Sequence, residues 1–407
     1  MVMPLGPDFA RTLEIPTARL GLVGAVYTAA AALSGVIGTL ILDRFDRGRA
    51  LWVVLGGLAL GTASGAFANS LASLLAARLL AGAFGGPAAS LSLAIVSDAV
   101  PAERRGRAVG SVMGGFAAAS VVGVPASLEL ARLGGWRLPF LAVSALGAGL
   151  AATALLLLPP LASPLPSRLA RRSETGNILR RPTVVLALLA MAALMTAQFA
   201  IVPNIAAYWQ FNLGYPRKNL SLLFILGGTV SFATMRIAGR LADRVGAALT
   251  ATAATALYLA VLLTAFVFPG REPPALALFV GFMVASAFRT VPVQALTSRV
   301  PAPEERARFM SAQSVAQHLG AATGALVASR MLWQLPGGRL GGMSGVAYLA
   351  AALAALVPGL LYFVELRVRR ENEDARRAAE ITRRRRASRR SSRLEPQAPS
   401  RRAAGAR

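Results

Sequence analysis

Long apolar runs recur eleven times along this chain, at about 19–42, 50–69, 72–97, 107–131, 138–159, 183–207, 219–240, 245–268, 275–297, 309–333 and 345–366. About 20 apolar residues in helical form cross the hydrocarbon core of a bilayer. No water is present there to bond peptide groups, so a spanning chain is either helical or closed into a barrel. Continuous runs choose helices over the alternating pattern of a barrel strand. The expected fold is therefore an all-α integral membrane protein with eleven transmembrane helices. Composition agrees: 55% of the 407 residues are hydrophobic and 15% charged, too few charges to coat a soluble core of this size.

A short pattern then repeats 200 residues apart. Asp43-Arg44 closes one apolar run and Asp243-Arg244 another; Val100-Pro101-Ala102 follows a third run and Val300-Pro301-Ala302 a fourth. Each instance leads into a basic stretch. Such repetition is the mark of a transporter built from two parallel halves.

The net charge of +25 could suggest nucleic acid. The basic residues, however, collect in alternate loops (43–50, 98–107, 160–182, 236–244 and 298–308) and in the tail from 367. The positive-inside rule places those loops and the C-terminus in the cytoplasm, in a cell (inner) membrane protein. Trp52, Trp136, Trp209 and Trp333 lie near helix ends, where interfacial anchoring is expected. The absence of cysteine excludes disulfides and thiolate sites, and the single histidine argues against a metal or hydrolytic centre. No Gly-x-x-x-x-Gly-Lys-Ser/Thr loop for ATP is present. No cofactor, metal or catalytic residue is expected.

Gly239-x-x-x-Asp243-Arg244-x-Gly246 resembles the loop motif between helices two and three of each half in the major facilitator superfamily. A weaker copy has Thr39, Asp43, Arg44 and Asp46, followed by Arg47, Gly48 and Arg49. Arg78 with Gly82 resembles the arginine motif of the fourth helix. Gly123-Val124-Pro125 resembles the exporters' fifth-helix motif, and Gly135-Trp136-Arg137 with Phe140 the entry to helix six. The resemblance covers about residues 1–367 and points to the bacterial drug- and sugar-efflux (arabinose-type) group. It implies a fold of two six-helix bundles. Residues 1–159 form the N-terminal bundle, 160–182 a cytoplasmic linker, 183–366 the C-terminal bundle, and 367–407 a basic, largely disordered tail. Residues 19–42 then become helix two, and Met1–Pro7 resembles the outer end of helix one. The expectation is that the first of twelve helices is truncated and that translation begins upstream.

Asp43, Arg44, Arg47 and Arg49, with Gly239, Asp243, Arg244 and Gly246, are expected to gate the cytoplasmic face, a carboxylate pairing with Arg or a helix N-terminus. A purely topogenic cluster is the plainer alternative. Arg78 and Arg289 lie inside helices, where a charge must face the bundle interior or a wet cavity. Tyr27, Thr28, Gln198, Asn204, Arg289 and Gln294 are candidates to line a substrate cavity, each alone being as readily a packing contact. Proton coupling needs a titratable group; Arg78, Glu129 and His318 are the candidates, with no acid in the middle of any helix.

The function expected is secondary active transport by alternating access: proton-coupled efflux of small organic molecules by a monomer in the bilayer. The rivals are an importer on the same fold and a non-transporting membrane sensor or scaffold. A membrane enzyme is disfavoured.

Overall fold

The computed structural model describes residues 2–41, 46–100, 115, 119–157, 178–268, 274–301 and 305–392. A 3-10 turn, Met3–Leu5, leads into the short α1, Gly6–Thr12. Then come α2 (Leu20–Ile41), α3 (Arg47–Ala66), α4 (Leu71–Ala99), α5 (Val124–Gly134, entered through a π turn at Ala119–Gly123) and α6 (Arg137–Leu157). The second half holds α7 (Pro182–Ala207), α8 (Leu220–Val245), α9 (Ala247–Leu262), α10 (Ala275–Thr297), α11 (Arg306–Met331) and α12 (Met343–Ser392). Two-residue strands, β1 (Trp333–Gln334) and β2 (Leu340–Gly341), pair antiparallel between α11 and α12.

The helix starts follow from local chemistry. Asp46 stands where the loop motif has its second glycine, and its carboxylate accepts from the Arg49 amide at 2.8 Å, capping α3. Ser70 and Ser73 form a capping box at α4. Gly246, at φ +99°, joins α8 to α9 in a conformation that other residues enter at a cost.

Nine helices among the described residues are long and apolar enough to cross a membrane. The expected span 107–131 is described from Ala119 onward apart from Gly115. α11 falls short of the nine because it carries Ser311, Gln313, Ser314, Gln317 and His318. It packs against α7, α2 and α12, so polar side chains there meet protein as well as lipid.

In the first half α2 packs on α4, and α3 on α4 and α6. In the second, α7 packs on α11 and α12, α8 on α10, and α9 on α10 and α12. The halves meet along two seams, α2 with α11 and α5 with α8. Glycines permit the closest approaches. A Cβ on Gly82 or Gly86 would collide with α2 at the Tyr27 or Ala31 carbonyl; one on Gly320 or Gly324 would collide with α7 at Ala192 or Thr196.

The end bearing the α5–α6, α7–α8 and α11–α12 turns is termed outer, after the expected loop orientation, and the opposite end inner. Two aromatic clusters fill the outer end: Phe9, Trp136 and Phe140, and Tyr208, Trp209, Phe224, Phe266 and Phe279. Trp136 and Trp209 are buried in these clusters, which corrects the expectation of interfacial anchors; Trp209 Nε1 donates to the Ala275 carbonyl at 2.8 Å. Trp52 and Trp333 are exposed.

Past 367, α12 continues to Ser392. Ala, Arg and Glu are good helix formers, and no Gly or Pro intervenes between Gly359 and Pro396. Most of the linker, and the chain after Ser392, lie outside the described residues.

Candidate functional site: an outer latch and two buried arginines

Polar contacts join the two halves at the outer end. Arg217, in the turn before α8, forks onto Asp8 of α1, with Nε donating to Oδ1 at 3.0 Å and Nη2 to Oδ2 at 2.8 Å. Both side chains are about four-fifths buried. Ser221 Oγ of α8 donates to Glu129 Oε1 of α5 at 2.5 Å, while Arg132 Nε donates to Glu129 Oε2 at 2.7 Å. Arg11 donates to Gln210 Oε1 at 3.2 Å and lies over the Phe211 ring. The Thr17 amide donates to Gln334 Oε1 at 2.9 Å. The first half thus supplies the acids and the second half Arg217 and Ser221. Charged, forked pairs of this kind are strong and directional, yet each can be cancelled by one proton.

Of these residues the sequence pattern singles out only Glu129. The overlooked signal is the charge of the α7–α8 turn. Arg217 and Lys218 place positive charge on the side that the positive-inside rule leaves poor in it, and Asp8 balances Arg217.

The two arginines inside helices sit alike. Arg78 of α4 has its guanidinium carbon 5.4 Å from the ring centroids of Tyr27 and of Phe140, and its Nε has no partner. Arg289 of α10 is 1% exposed and stacks on Tyr258 of α9 at 4.1 Å; its Nε and Nη2 have no partner. The Tyr258 hydroxyl donates to the Ala197 carbonyl of α7 at 3.4 Å. Aromatic faces stabilise a desolvated cation by about 2 kcal/mol. That offsets part of the cost of holding a charge inside the helix bundle.

The six cavity candidates have these surroundings. Tyr27 lies with Arg78, and Arg289 lies inside the second half against α9. Asn204 is fully buried, its Nδ2 donating to the Ala200 carbonyl at 3.3 Å and its unpartnered Oδ1 near Gly21 of α2. The Thr28 hydroxyl donates to its own helix at the Gly24 and Ala25 carbonyls. Gln198 is half-buried on α7, and Gln294 is exposed toward the inner end of α10. His318 holds its Nδ1 2.8 Å from the Ser314 carbonyl of its own helix. Gln313 donates to Thr297 Oγ1 at 3.2 Å and Gln317 to the Met191 sulfur at 3.4 Å.

At the inner end, Arg299 Nη2 donates to Asp243 Oδ1 at 3.0 Å, linking α8 and α10 within the second half. Arg244 is exposed, and Gly239 has space around it. The Arg49 side chain is exposed; Asp43, Arg44 and the side chain of Arg47 lie outside the described residues. Arg181 bridges Glu305 at 2.7 Å and Glu371 at 3.4 Å, tying the inner ends of α7, α11 and α12 together.

Comparison with known proteins agrees with this geometry. A chloramphenicol resistance protein of Streptomyces lividans is 28% identical over 372 residues, covering 87% of this chain and 91% of the relative. A chloramphenicol efflux pump of Mycobacterium tuberculosis is 28% identical over 284 residues, 68% of each chain. The solved D-xylose-proton symporter superposes with a TM-score of 0.70 at 18% identity, over 89% of this chain and 92% of that one, a likeness of fold. The family description Major Facilitator Superfamily matches residues 1–325 and, overlapping, 237–398. Two bundles meeting along α2–α11 and α5–α8, with that match across the chain, identify a multi-pass membrane protein of the Major Facilitator Superfamily, a family of secondary transporters and not of enzymes.

Proposed function

We propose that the chain exports small organic molecules across the cell membrane by alternating access, driven by protons. The carrying observation is the outer latch: Asp8–Arg217 and Glu129–Ser221 hold two separately packed halves together at one end. Halves joined there by polar contacts can exchange one closed end for the other by rocking as rigid bodies. In this reading the conformation is closed outward, with the C-terminus in the cytoplasm. The Asp243–Arg299 pair stays within one half here; Asp43, Arg44, Arg47, Arg49, Gly239, Asp243, Arg244 and Gly246 form the inner gate when the cytoplasmic end closes.

Glu129 is the favoured coupling residue, acting with Asp8. Losing the Glu129 charge weakens its hydrogen bond from Ser221 across the α5–α8 seam, so a proton there favours opening of the outer end. His318 is less suited, because its Nδ1 is committed to a backbone carbonyl. Tyr27, Thr28, Gln198, Asn204 and Gln294 face the solute as the halves move, and Arg78 and Arg289 orient it. Export rather than import is supported by the relatives, whose names cite chloramphenicol resistance and efflux.

Everted membrane vesicles, acidified inside, provide the test with labelled chloramphenicol as probe. Accumulation that collapses with an uncoupler and is lost in Glu129→Gln is expected. Chloramphenicol that neither accumulates nor exchanges in wild-type vesicles overturns the drug-efflux reading.

A further inference from the structure

A groove of about 440 Å³ opens on the outer surface of the second half, at the inner end, between α9 and α12. Its walls are two helical stripes. Val245, Ala248, Leu249 and Thr252 line one side; Pro358, Gly359, Tyr362 and Leu366 line the other. Leu249 is 62% and Tyr362 55% exposed. Nothing stands within 4 Å of where a Gly359 Cβ would be, so the trough is open at that point. In a membrane protein such a surface faces acyl chains.

The inner mouth of the groove is polar and ordered. Glu365 accepts from the Ala248 amide at 2.8 Å, at the first turn of α9, and from Arg369 Nη2 at 2.6 Å. One carboxylate therefore serves both an arginine and a helix N-terminus, which carries about half a positive charge. Arg369 remains two-thirds exposed, with donors to spare. Arg244, next to the lining residue Val245, is exposed, as are Arg367 and Arg370. The mouth is thus net cationic, above an apolar trough. That combination complements a phosphodiester joined to hydrocarbon chains, and complements a zwitterionic headgroup less well.

We propose that the α9–α12 groove binds an anionic phospholipid, its acyl chain along Leu249, Pro358 and Tyr362 and its phosphate at Arg369 and Arg244. The lipid bridges the end of the Gly239–Gly246 motif to α12, beside the Glu365 contact that already joins them.

Native mass spectrometry of the detergent-purified full chain, offered palmitoyl-oleoyl phosphatidylglycerol and phosphatidylcholine in equal amounts, tests this. Wild-type protein should retain phosphatidylglycerol preferentially. Losing both arginines in Arg244→Gln/Arg369→Gln should weaken that preference roughly 30-fold, from the attraction per basic residue near a lipid surface. Arg244→Gln alone, which breaks no ion pair seen among the described residues, should weaken it about 5-fold. Leu249→Trp fills the trough from an exposed position without touching charge, and should reduce retention of both lipids. Equal retention of the two lipids by wild-type protein overturns the proposal. So does phosphatidylglycerol retention unchanged in both Arg244→Gln and Leu249→Trp.

Discussion

Replacing Arg217 with Gln tests the outer latch directly. The residue makes two charged hydrogen bonds to Asp8, at 3.0 and 2.8 Å, with both side chains about four-fifths buried. Hydrogen bonds to charged groups make a net contribution of about 1.5–3 kcal/mol each. Breaking a fully buried pair costs about 3–5 kcal/mol, most of it from the charge left behind. Partial exposure at the rim reduces this, so a net loss of about 2 kcal/mol is reasonable, equivalent to a roughly 30-fold shift toward outward opening. The chain has no cysteine, so a single reporter can be introduced cleanly. Ile205, 3% exposed in the outer core, is a suitable position. Ile205→Cys should react slowly with an impermeant maleimide added outside, and on the order of 10–30 times faster in the Arg217→Gln background. Exchanging the charges, Asp8→Arg with Arg217→Asp, should restore most of the protection. An unchanged labelling rate in Arg217→Gln, or a charge exchange that labels as fast as the single variant, refutes the reasoning.

Acidifying the outer medium should raise labelling of the Ile205→Cys reporter in the otherwise wild-type chain, and should have little further effect in Asp8→Asn/Glu129→Gln; labelling flat with pH counts against proton-driven opening. Arg289→Ala should abolish flux while leaving membrane insertion intact, and normal flux removes Arg289 from the transport cycle. Gly324→Leu must push α11 away from Thr196 and Ala200 of α7, at a cost of about 1–3 kcal/mol or more. It should lower the melting temperature in detergent, whereas Gly149→Leu, with nothing within 4 Å, should not; equal effects would contradict the close-packing argument. Trp209→Ala, emptying a fully buried position, should cost about 3–5 kcal/mol, read from the same melting curves.

The spans were legible because hydrocarbon depth imposes its own length on a sequence. Expected and observed boundaries agree within a few residues for α2, α4 and α10. The repeat of Asp43-Arg44 at Asp243-Arg244 was legible because a loop motif is a local pattern. The latch was not, because Asp8 and Arg217 are 209 positions apart and neither sits in a repeated motif. Trp209 misled for a related reason: a position near a helix end does not say which way the ring turns, and here it turns inward onto Phe279. Arg289 falls within α10 and is buried, but its partner Tyr258 lies on α9, whose facing stripe cannot be read without the packing.

The unbroken course of α12 to Ser392 has an electrostatic consequence. Beyond Glu371, where the last apolar span ends, about 20 further residues rise roughly 30 Å if the helix stays straight. Charges more than about 8 Å from a surface are largely screened at physiological ionic strength. The far end of the helix, at Ser392, then stands clear of the headgroups. Only the arginines at its base would sense the composition of the adjoining leaflet.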